Sequence, residues 1–403
     1  MSCAAPSPRP VDEHVALLRG LLAPPESRHR QTVPLAEAAG RTLADDVVAP
    51  IDLPGVDNAQ MDGFAVAAAT TPGTLPVGPT IAAGDAPSVL PAGHAVPVMT
   101  GAPVPAGADT VVPVEDTAAG RFDVAEVGLP AVPPGRFVRR AGSDVARGAR
   151  VLAAGAVLGP AAVGLLAALG HTDVVVRPRL RVLVCTGGDE VVAPGRPLRA
   201  GQVHDANGPL LHAHLTALGA DVVGRLRLSD DPAALRTRLA AEVAACRPDL
   251  VVTSGGVSAG RFEVVRAALG HGSVRFGPVA MQPGGPQGAG RLDDGTPVVC
   301  LPGNPVSTWV SVLVLLQPAL AAAWGTAATR RRRAVLGGPA EPLPARTQYR
   351  RAVRRTGAPD VVDLTPGTSS HLLAQAARAD SLVTIPPGAA TLPAGTAVDV
   401  LDL

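Results

Sequence analysis

Arg179-Leu180-Arg181-Val182-Leu183-Val184-Cys185-Thr186-Gly187-Gly188-Asp189-Glu190 passes from a compact apolar run straight into a glycine pair and two acids. A short continuous apolar run that ends at glycine reads as a strand buried on both faces. The same grammar returns in RPDLVVTS before Gly255-Gly256 and in TPVVCLP before Gly303. Between these runs lie NGPLLHAHLTALGAD and DPAALRTRLAAEVAA, whose apolar residues recur at helical spacing. Alternating buried strands and helices predict a parallel-type sheet covered on both faces, an α/β unit over residues 177–329.

Working outward, residues 306–323 are apolar enough to suggest a membrane span. They carry Ser, Thr, Gln and a Pro and follow a Gly-Asn-Pro turn, so a soluble core helix is the expectation. The basic run 330–333 reads as a solvated linker between domains, with a small β barrel or sandwich following to residue 403. Toward the N-terminus, residues 50–140 alternate short apolar pairs with Gly and Pro, an all-β pattern of short strands and tight turns. Segments 1–49 and 141–176 each hold a helical stretch and short strands. No internal repeat is visible.

A length of 403 residues implies two to four compact units, and a hydrophobic content of 47% is ample for buried cores. Formal net charge is +1, from 35 basic and 34 acidic residues, which gives no reason to expect nucleic acid or a membrane surface as partner. Every basic residue among the 35 is arginine, so arginine in place of lysine carries no functional message here. Aromatics at 2% make base-stacking platforms improbable. The cysteines Cys3, Cys185, Cys246 and Cys300 are scattered, with Cys185 and Cys300 reading as small buried hydrophobes. With no apolar secretory region in the first residues, a reducing cytoplasm is the expected compartment.

Each glycine loop of the α/β unit follows the carboxyl end of a strand, where open parallel sheets bind ligands. Glycine lets backbone approach an anion, and a helix N-terminus beyond it offers free N–H groups. Candidate binding residues are therefore Gly188, Ser254, Gly255, Gly256, Ser258 and Gly260, with Pro302, Gly303, Asn304 and Ser307 in the third loop. Ordinary strand-to-helix turns are the bland alternative for any one loop; three in one domain argue against it. No Gly-Lys-Ser/Thr or G-x-G-x-x-G spacing is present, so neither a nucleoside-triphosphate loop nor a dinucleotide fold is expected. Acids cluster around the same loops: Asp189, Glu190, Asp205, Asp230-Asp231 and Glu263. Carboxylates beside such loops suit Mg²⁺ bridging protein to pyrophosphate. Asp230-Asp231, ahead of Pro232, also read as a helix cap. A second acidic group, Asp62 in Asp57-Asn58-Ala59-Gln60-Met61-Asp62-Gly63 and Asp144 after Ser143, lies in the β-rich half, where turn chemistry alone could explain Asp62-Gly63.

Together AAGRTLADDVVAPIDLPGVDNAQMDGFAV, VMTGAPVPAGADTVVPVED, GQVHDANGPLL, SGGVSAG and LPGNPVS resemble, in order, the motifs of the molybdopterin molybdenumtransferase family, to which the gephyrin E-domain also belongs. That resemblance implies an elongated domain from segments 1–49 and 141–176, an inserted β domain at 50–140, a molybdopterin-binding-like α/β domain and a C-terminal β barrel. It implies homodimers in which the β-rich half of one chain faces the α/β domain of the other. The implied reaction takes adenylylated molybdopterin and molybdate as substrates and, with Mg²⁺, gives molybdenum cofactor and AMP. Asp62, Thr100, Asp144 and Asp189 would be catalytic, and Asp189, Glu190, Asp205 and Glu263 would hold the metal. Asp205 and the glycine loops would also hold the pterin and its phosphate.

Departures from the family pattern fall in the same region. A loop usually reading Lys-Pro-Gly-Lys-Pro is Gln282-Pro283-Gly284-Gly285-Pro286, which removes two cations. Gly187 stands where threonine is usual, and Ser143 where glutamate is usual. Arg261-Phe262 departs from an acidic stretch, whereas Glu263 and Arg266 keep charge. Two rival readings follow: a non-catalytic paralogue that binds molybdopterin or a partner protein, and a Mg²⁺-dependent pterin or nucleotide hydrolase.

Overall fold

The computed structural model of the chain describes residues 7–25, 30–258 and 263–403. Two compact units make it up, Thr32–Val176 and a second formed by Met1–Gln31 with Arg177–Leu403.

The second unit is built on a six-stranded sheet in the order Asp221–Arg227, Arg181–Thr186, Leu250–Ser254, Pro297–Leu301, Pro286–Arg291, Arg275–Pro278. Its first four strands are parallel. The last two add an antiparallel edge, because residues 292–296 are too short a link to return a chain parallel to itself. Side chains alternate between two cores. Val182 and Val184 pack with Leu211 and Leu215 on one face, while Leu183 and Cys185 pack with Leu235 and Leu239 on the other. This two-sided burial explains the unbroken apolar run; each such side chain contributes about 1.5–3 kcal/mol of transfer free energy. Burial also pushes the thiols of Cys185 and Cys300 up, as expected for inert packing residues.

Helix Val11–Leu21 belongs to this unit and not to the domain expected over 1–49. Its Leu18 and Leu22 enter the same core as Leu313 and Leu320, and Trp324 Nε1 donates to the Leu22 carbonyl at 2.8 Å. The apolar stripe of the helix finds its cover there. The helical run Pro305–Trp324 is long and apolar enough to span a membrane, yet 72% of it is buried in the protein, so it is a core helix. It widens to a π-type turn over Val312–Leu316, just ahead of Pro318, which lacks the N–H an α-turn would use.

Arg331–Leu336, Thr347–Arg355, Ala358–Leu364, Ser381–Ile385 and Ala397–Asp402 form the C-terminal barrel, closed by pairing of the second strand with the fourth. The arginine run is therefore not a linker. It opens the first barrel strand, with Arg332 on Asp402 at 2.7 Å and Arg333 on Asp399 at 3.1 Å across the neighbouring strand.

In the first unit the two outer segments meet. Gln31–Pro34 pairs with Asp173–Val176, and Val47–Val48 with Arg150–Leu152. Leu166, on helix Pro160–Ala168, packs with Val33, Leu43 and Val176. The stretch between carries a three-stranded antiparallel sheet of Val96–Val98, Gly63–Val66 and Thr110–Pro113, and a pair of Gly73–Pro76 with Glu126–Leu129.

Candidate functional site

Chain order reverses beside strand Arg181–Thr186: the chain runs first to its neighbour Asp221–Arg227, then back past it to Leu250–Ser254. Such a switch point opens a crevice at the carboxyl ends of the strands. A cavity of about 600 Å³ lies there, lined by Gly187 and Gly188, Ser254 to Gly256, and Gly303. Three backbones meet at its floor. A Cβ on Gly303 would sit 3.1 Å from the Cα of Gly255, and Gly187 and Gly255 have φ of 115° and 108°. Glycine is therefore required by both conformation and contact. At 187, where the resemblance leads to threonine, that φ is one that a β-branched residue rarely adopts.

Around the floor stand four carboxylates: Glu190, Asp205, Asp230 and Glu263. Asp205 is fixed by Thr186 Oγ1 at 2.9 Å and by the N–H of Gly208 at 2.9 Å, which also satisfies the start of helix Asn207–Ala217. Gly208 leaves room for it; a Cβ there would strike the carboxylate. Glu263 accepts from the Ser258 N–H at 2.9 Å, and the Glu190 carboxylate folds back over Gly188. Arg227 holds the first loop from behind, donating to the carbonyls of Gly188 and Asp189 at 3.4 and 3.3 Å. Asn207 Nδ2 donates to the Gly303 carbonyl at 2.7 Å, tying helix Asn207–Ala217 to the third loop.

Several expected ligands serve other purposes. Ser254 is buried, and its hydroxyl donates to the Pro302 carbonyl at 3.0 Å beside Thr308 at 2.9 Å, so that hydroxyl is already committed within the protein. Asn304 caps helix Pro305–Ser311 through the Val306 N–H at 3.2 Å, and Ser307 is buried within that helix. Asp189 is exposed, its N–H on Asp230 at 3.3 Å, and it does not line the cavity; nor do Ser258 and Pro302. Gly260 lies outside the described residues. Of the acid pair at 230–231, Asp231 is the helix cap, accepting from Ala233 at 2.8 Å and Ala234 at 3.3 Å. Asp230, whose pairing with a cap had suggested only local structure, joins the cavity wall. His204 and Asn207 also line it and were not singled out from sequence.

Among the described residues no three His, Cys, Asp or Glu side chains converge as a closed metal cage, so Asp189, Glu190, Asp205 and Glu263 do not form one. The donor chemistry still suits Mg²⁺. This ion takes hard oxygen ligands, keeps several waters and is commonly held by one or two carboxylates together with substrate phosphates. Glu190, Asp205 and Glu263 offer such oxygens among the residues that line the cavity.

Gln282 to Pro286 packs beside the same core helix without lining the cavity. Gln287 Nε2 donates to the Gly284 carbonyl and to Ser311 Oγ, each at 2.7 Å, and Gln348 Nε2 donates to Gln282 Oε1 at 3.1 Å. Gly284, with φ of 96°, has Ser311 Oγ 2.7 Å from where a Cβ would be, so it must be glycine. Gly285 has nothing nearer than 3.6 Å, and no conformational need for glycine.

In the other unit Asp62 and Thr100 are brought together. Asp62 Oδ1 accepts from Thr100 Oγ1 at 2.7 Å and from the Thr100 N–H at 2.6 Å. The hydroxyl and then the N–H hold this carboxyl below its usual range. Gly63 is a strand residue whose missing Cβ makes room for the Val112 carbonyl; close approach, not a turn, demands glycine. Asp144 lies on a separate exposed turn, pinned by its own N–H and that of Val145 on the Leu53 carbonyl, both at 3.0 Å. Asp57 and Asp52 clamp that turn through the N–H groups of Ala141 and Arg147, at 2.8 and 2.7 Å.

Comparison with known proteins agrees with this architecture. Three family models match in order: "MoeA N-terminal region (domain I and II)" over residues 9–170, "Probable molybdopterin binding domain" over 183–322, and "MoeA C-terminal region (domain IV)" over 333–403. Molybdopterin molybdenumtransferase 2 of Mycobacterium tuberculosis is 44% identical over 393 residues, covering 92% of this chain and 95% of that protein. Molybdopterin molybdenumtransferase of Haemophilus influenzae is 38% identical over 295 residues, 71% of each. The crystal structure of a molybdopterin biosynthesis MoeA protein from Pyrococcus horikosii superposes with a TM-score of 0.82 at 29% identity, covering 98% of this chain and 99% of the other. The chain thus belongs to the MoeA family of molybdopterin biosynthesis proteins.

Proposed function

We propose that this protein inserts molybdate into adenylylated molybdopterin and releases AMP in a Mg²⁺-dependent reaction. The observation that carries the reading is the cavity at the switch point, with a floor of three glycine backbones and a wall of carboxylates. Backbone at the floor lets a phosphate come close, whereas the wall repels it unless a cation lies between. Bound Mg²⁺ would neutralise charge on the pyrophosphate, with one or two of Glu190, Asp205 and Glu263 as its protein ligands and waters and phosphate oxygens as the rest. Asp205 is preorganised by Thr186 and Gly208, and Asn207 ties the third loop to helix Asn207–Ala217, so the chain contributes chiefly positioning. In this reading Asp62, Thr100 and Asp144 complete the site from the β-rich half of a partner protomer in a homodimer, a role consistent with their place in the other unit. A monomeric mass for the active species in solution would refute that arrangement.

A binding paralogue is the second reading, and the neutral loop at Gln282–Gly285 favours it. One assay separates the readings: AMP release from adenylylated molybdopterin by purified protein at fixed Mg²⁺, with and without molybdate. Molybdate-dependent release supports the transferase. Release indifferent to molybdate makes it a hydrolase, and tight pterin binding without release makes it a binding protein.

A further inference from the structure

Strand Thr347–Arg355 sends alternate side chains to opposite faces. Tyr349 packs with Leu382 and Leu401 in the core shared with the sheet, whereas Ala352 packs with Val383 and Ile385 inside the barrel. Gln348 and Arg350 share the face of Ala352, across from Ile385 and Val383 of the neighbouring strand. Arg350 thus stands half-buried against an apolar interior. Among the described residues no hydrogen bond or ion pair answers it, and burial alone pushes its pKa down. Arg351, on the opposite face, is held by the carbonyls of Ser369 and Gly367 at 3.2 and 3.0 Å.

The direction of the Arg350 guanidinium follows from its surroundings. One end of the barrel interior holds an acid: Asp402 lies 2.7 Å from Arg332 and 3.6 Å from Arg354. Asp402 does not reach Arg350. At the other end stands Gln348, whose Nε2 donates to Gln282 Oε1 at 3.1 Å. Gln348 precedes Arg350 by two residues, about 6.8 Å along a strand, a gap that a long side chain spans. Arg350 therefore belongs to the end that meets the neutral loop, where Gln282 and Gly285 bring no charge. A guanidinium partly withdrawn from water without a counter-charge is costly, and an oxyanion that accepts its forked N–H groups offsets that cost.

We propose that Arg350 is the oxyanion-contacting cation of this chain, donating from the barrel to a tetrahedral dianion held against the Gln282–Gly285 loop. The inference rests on reading molybdate as a substrate. Arg350 does not line the cavity at the switch point, so the balance of charge among the four carboxylates there is left as it was.

The test is calorimetric titration of the full chain with molybdate, in buffer free of sulfate and phosphate, comparing wild type, Arg350→Gln and Arg350→Lys. AMP titrated at fixed Mg²⁺ is the control for the cavity. Expected is a weakening of molybdate binding by about tenfold in Arg350→Gln, the loss of one charge-assisted hydrogen bond, largely restored in Arg350→Lys. AMP affinity and Tm should match wild type throughout. Molybdate affinity unaltered by Arg350→Gln overturns the proposal, and so does wild-type protein that binds no molybdate at millimolar concentration. A loss that lysine does not restore, or that comes with a lowered Tm or an equal loss of AMP affinity, makes Arg350 a packing residue and overturns it too. Molybdate binding that responds to Arg350, in a protein that releases no AMP from adenylylated molybdopterin, upholds this proposal and refutes the transferase reading.

Discussion

Gly285→Lys separates loss of charge from loss of shape in the neutral loop. Gly284 cannot be changed, since its φ of 96° and the Ser311 hydroxyl 2.7 Å from a Cβ both forbid a side chain. Gly285 has only the carbonyls of Met281 and Val279 near a Cβ, both at 3.6 Å, an ordinary contact. Replacing such a glycine also lowers the entropy of the unfolded chain, worth about 0.4–1 kcal/mol, so stability should hold or rise slightly. The new ammonium would emerge between two backbone carbonyls and could donate to an oxyanion brought to the loop. A hydrogen bond to a charged partner contributes about 1.5–3 kcal/mol, or roughly ten- to hundredfold in affinity. The lower figure is the better expectation, because Gly285 is only half buried and water screens the charge. Molybdate titration at saturating adenylylated molybdopterin measures it, as the concentration giving half-maximal AMP release. A Gly285→Lys protein with wild-type Tm and an unmoved molybdate midpoint would refute the idea that this loop faces the oxyanion.

Three further predictions concern the frame around the sites. Gly303→Ala forces a methyl to within 3.1 Å of the Gly255 Cα, and should cost about 1–3 kcal/mol of stability by overpacking while weakening AMP binding; a wild-type Tm would contradict the close-packed floor. Thr100→Val keeps the backbone donor to Asp62 and removes the hydroxyl, the larger cause of its lowered pKa, so carboxyl NMR should show the Asp62 midpoint rising; an unmoved midpoint sinks the pairing. His14 is 2% exposed, with its pKa lowered from 6.5 to about 4, by burial first and Arg9 second. Because the folded pKa lies below the unfolded one, His14 contributes full stability above about pH 6.5, and that contribution is lost as pH falls toward 4, by at most about 3 kcal/mol. His14→Leu should therefore show a shallower fall of Tm between pH 7 and 5 than wild type, and parallel curves would count against the assignment.

Much of this was legible in the sequence because burial on both faces leaves a mark. The runs at 181–186, 250–254 and 297–301 are unbroken and apolar since each residue meets one core or the other. Their glycine exits place the cavity without further information. The antiparallel edge was not legible, because PQGAGR is glycine-rich and lacks either period. Nor was the arginine strand, whose consecutive like charges look solvated until Asp399 and Asp402 appear on the adjoining strand. At the site, residue type misled wherever a polar group serves the backbone. Ser254 and Asn304 read as ligand-binding residues, but the Ser254 hydroxyl locks a carbonyl and the Asn304 side-chain oxygen caps a helix. Asp230 was hidden beside its capping neighbour, and His204 has no sequence period that would mark it. An adjacent acid pair before Pro232 was the available clue, since one helix start needs only one cap.

Charge balance links the two unusual features of this chain. A phosphate 4 Å from one carboxylate is opposed by about 4 kcal/mol at an effective dielectric constant near 20, and this cavity presents four carboxylates. Backbone N–H groups offset part of that, but several are already committed: Gly208 to Asp205, Ser258 to Glu263 and Val306 to Asn304. A loop with two lysines would carry positive charge close to the same core helix; Gln282 and Gly285 carry none. In the transferase reading, more of the neutralisation then comes from a divalent cation. Binding free energies are reciprocal, so a metal that lowers the cost of bringing in the anion is itself held more tightly once the anion is present. On this reasoning the neutral loop does not remove the need for positive charge at the site; it transfers that need from the polypeptide to its ligands, and makes metal and phosphate binding depend on each other more strongly than a basic loop would.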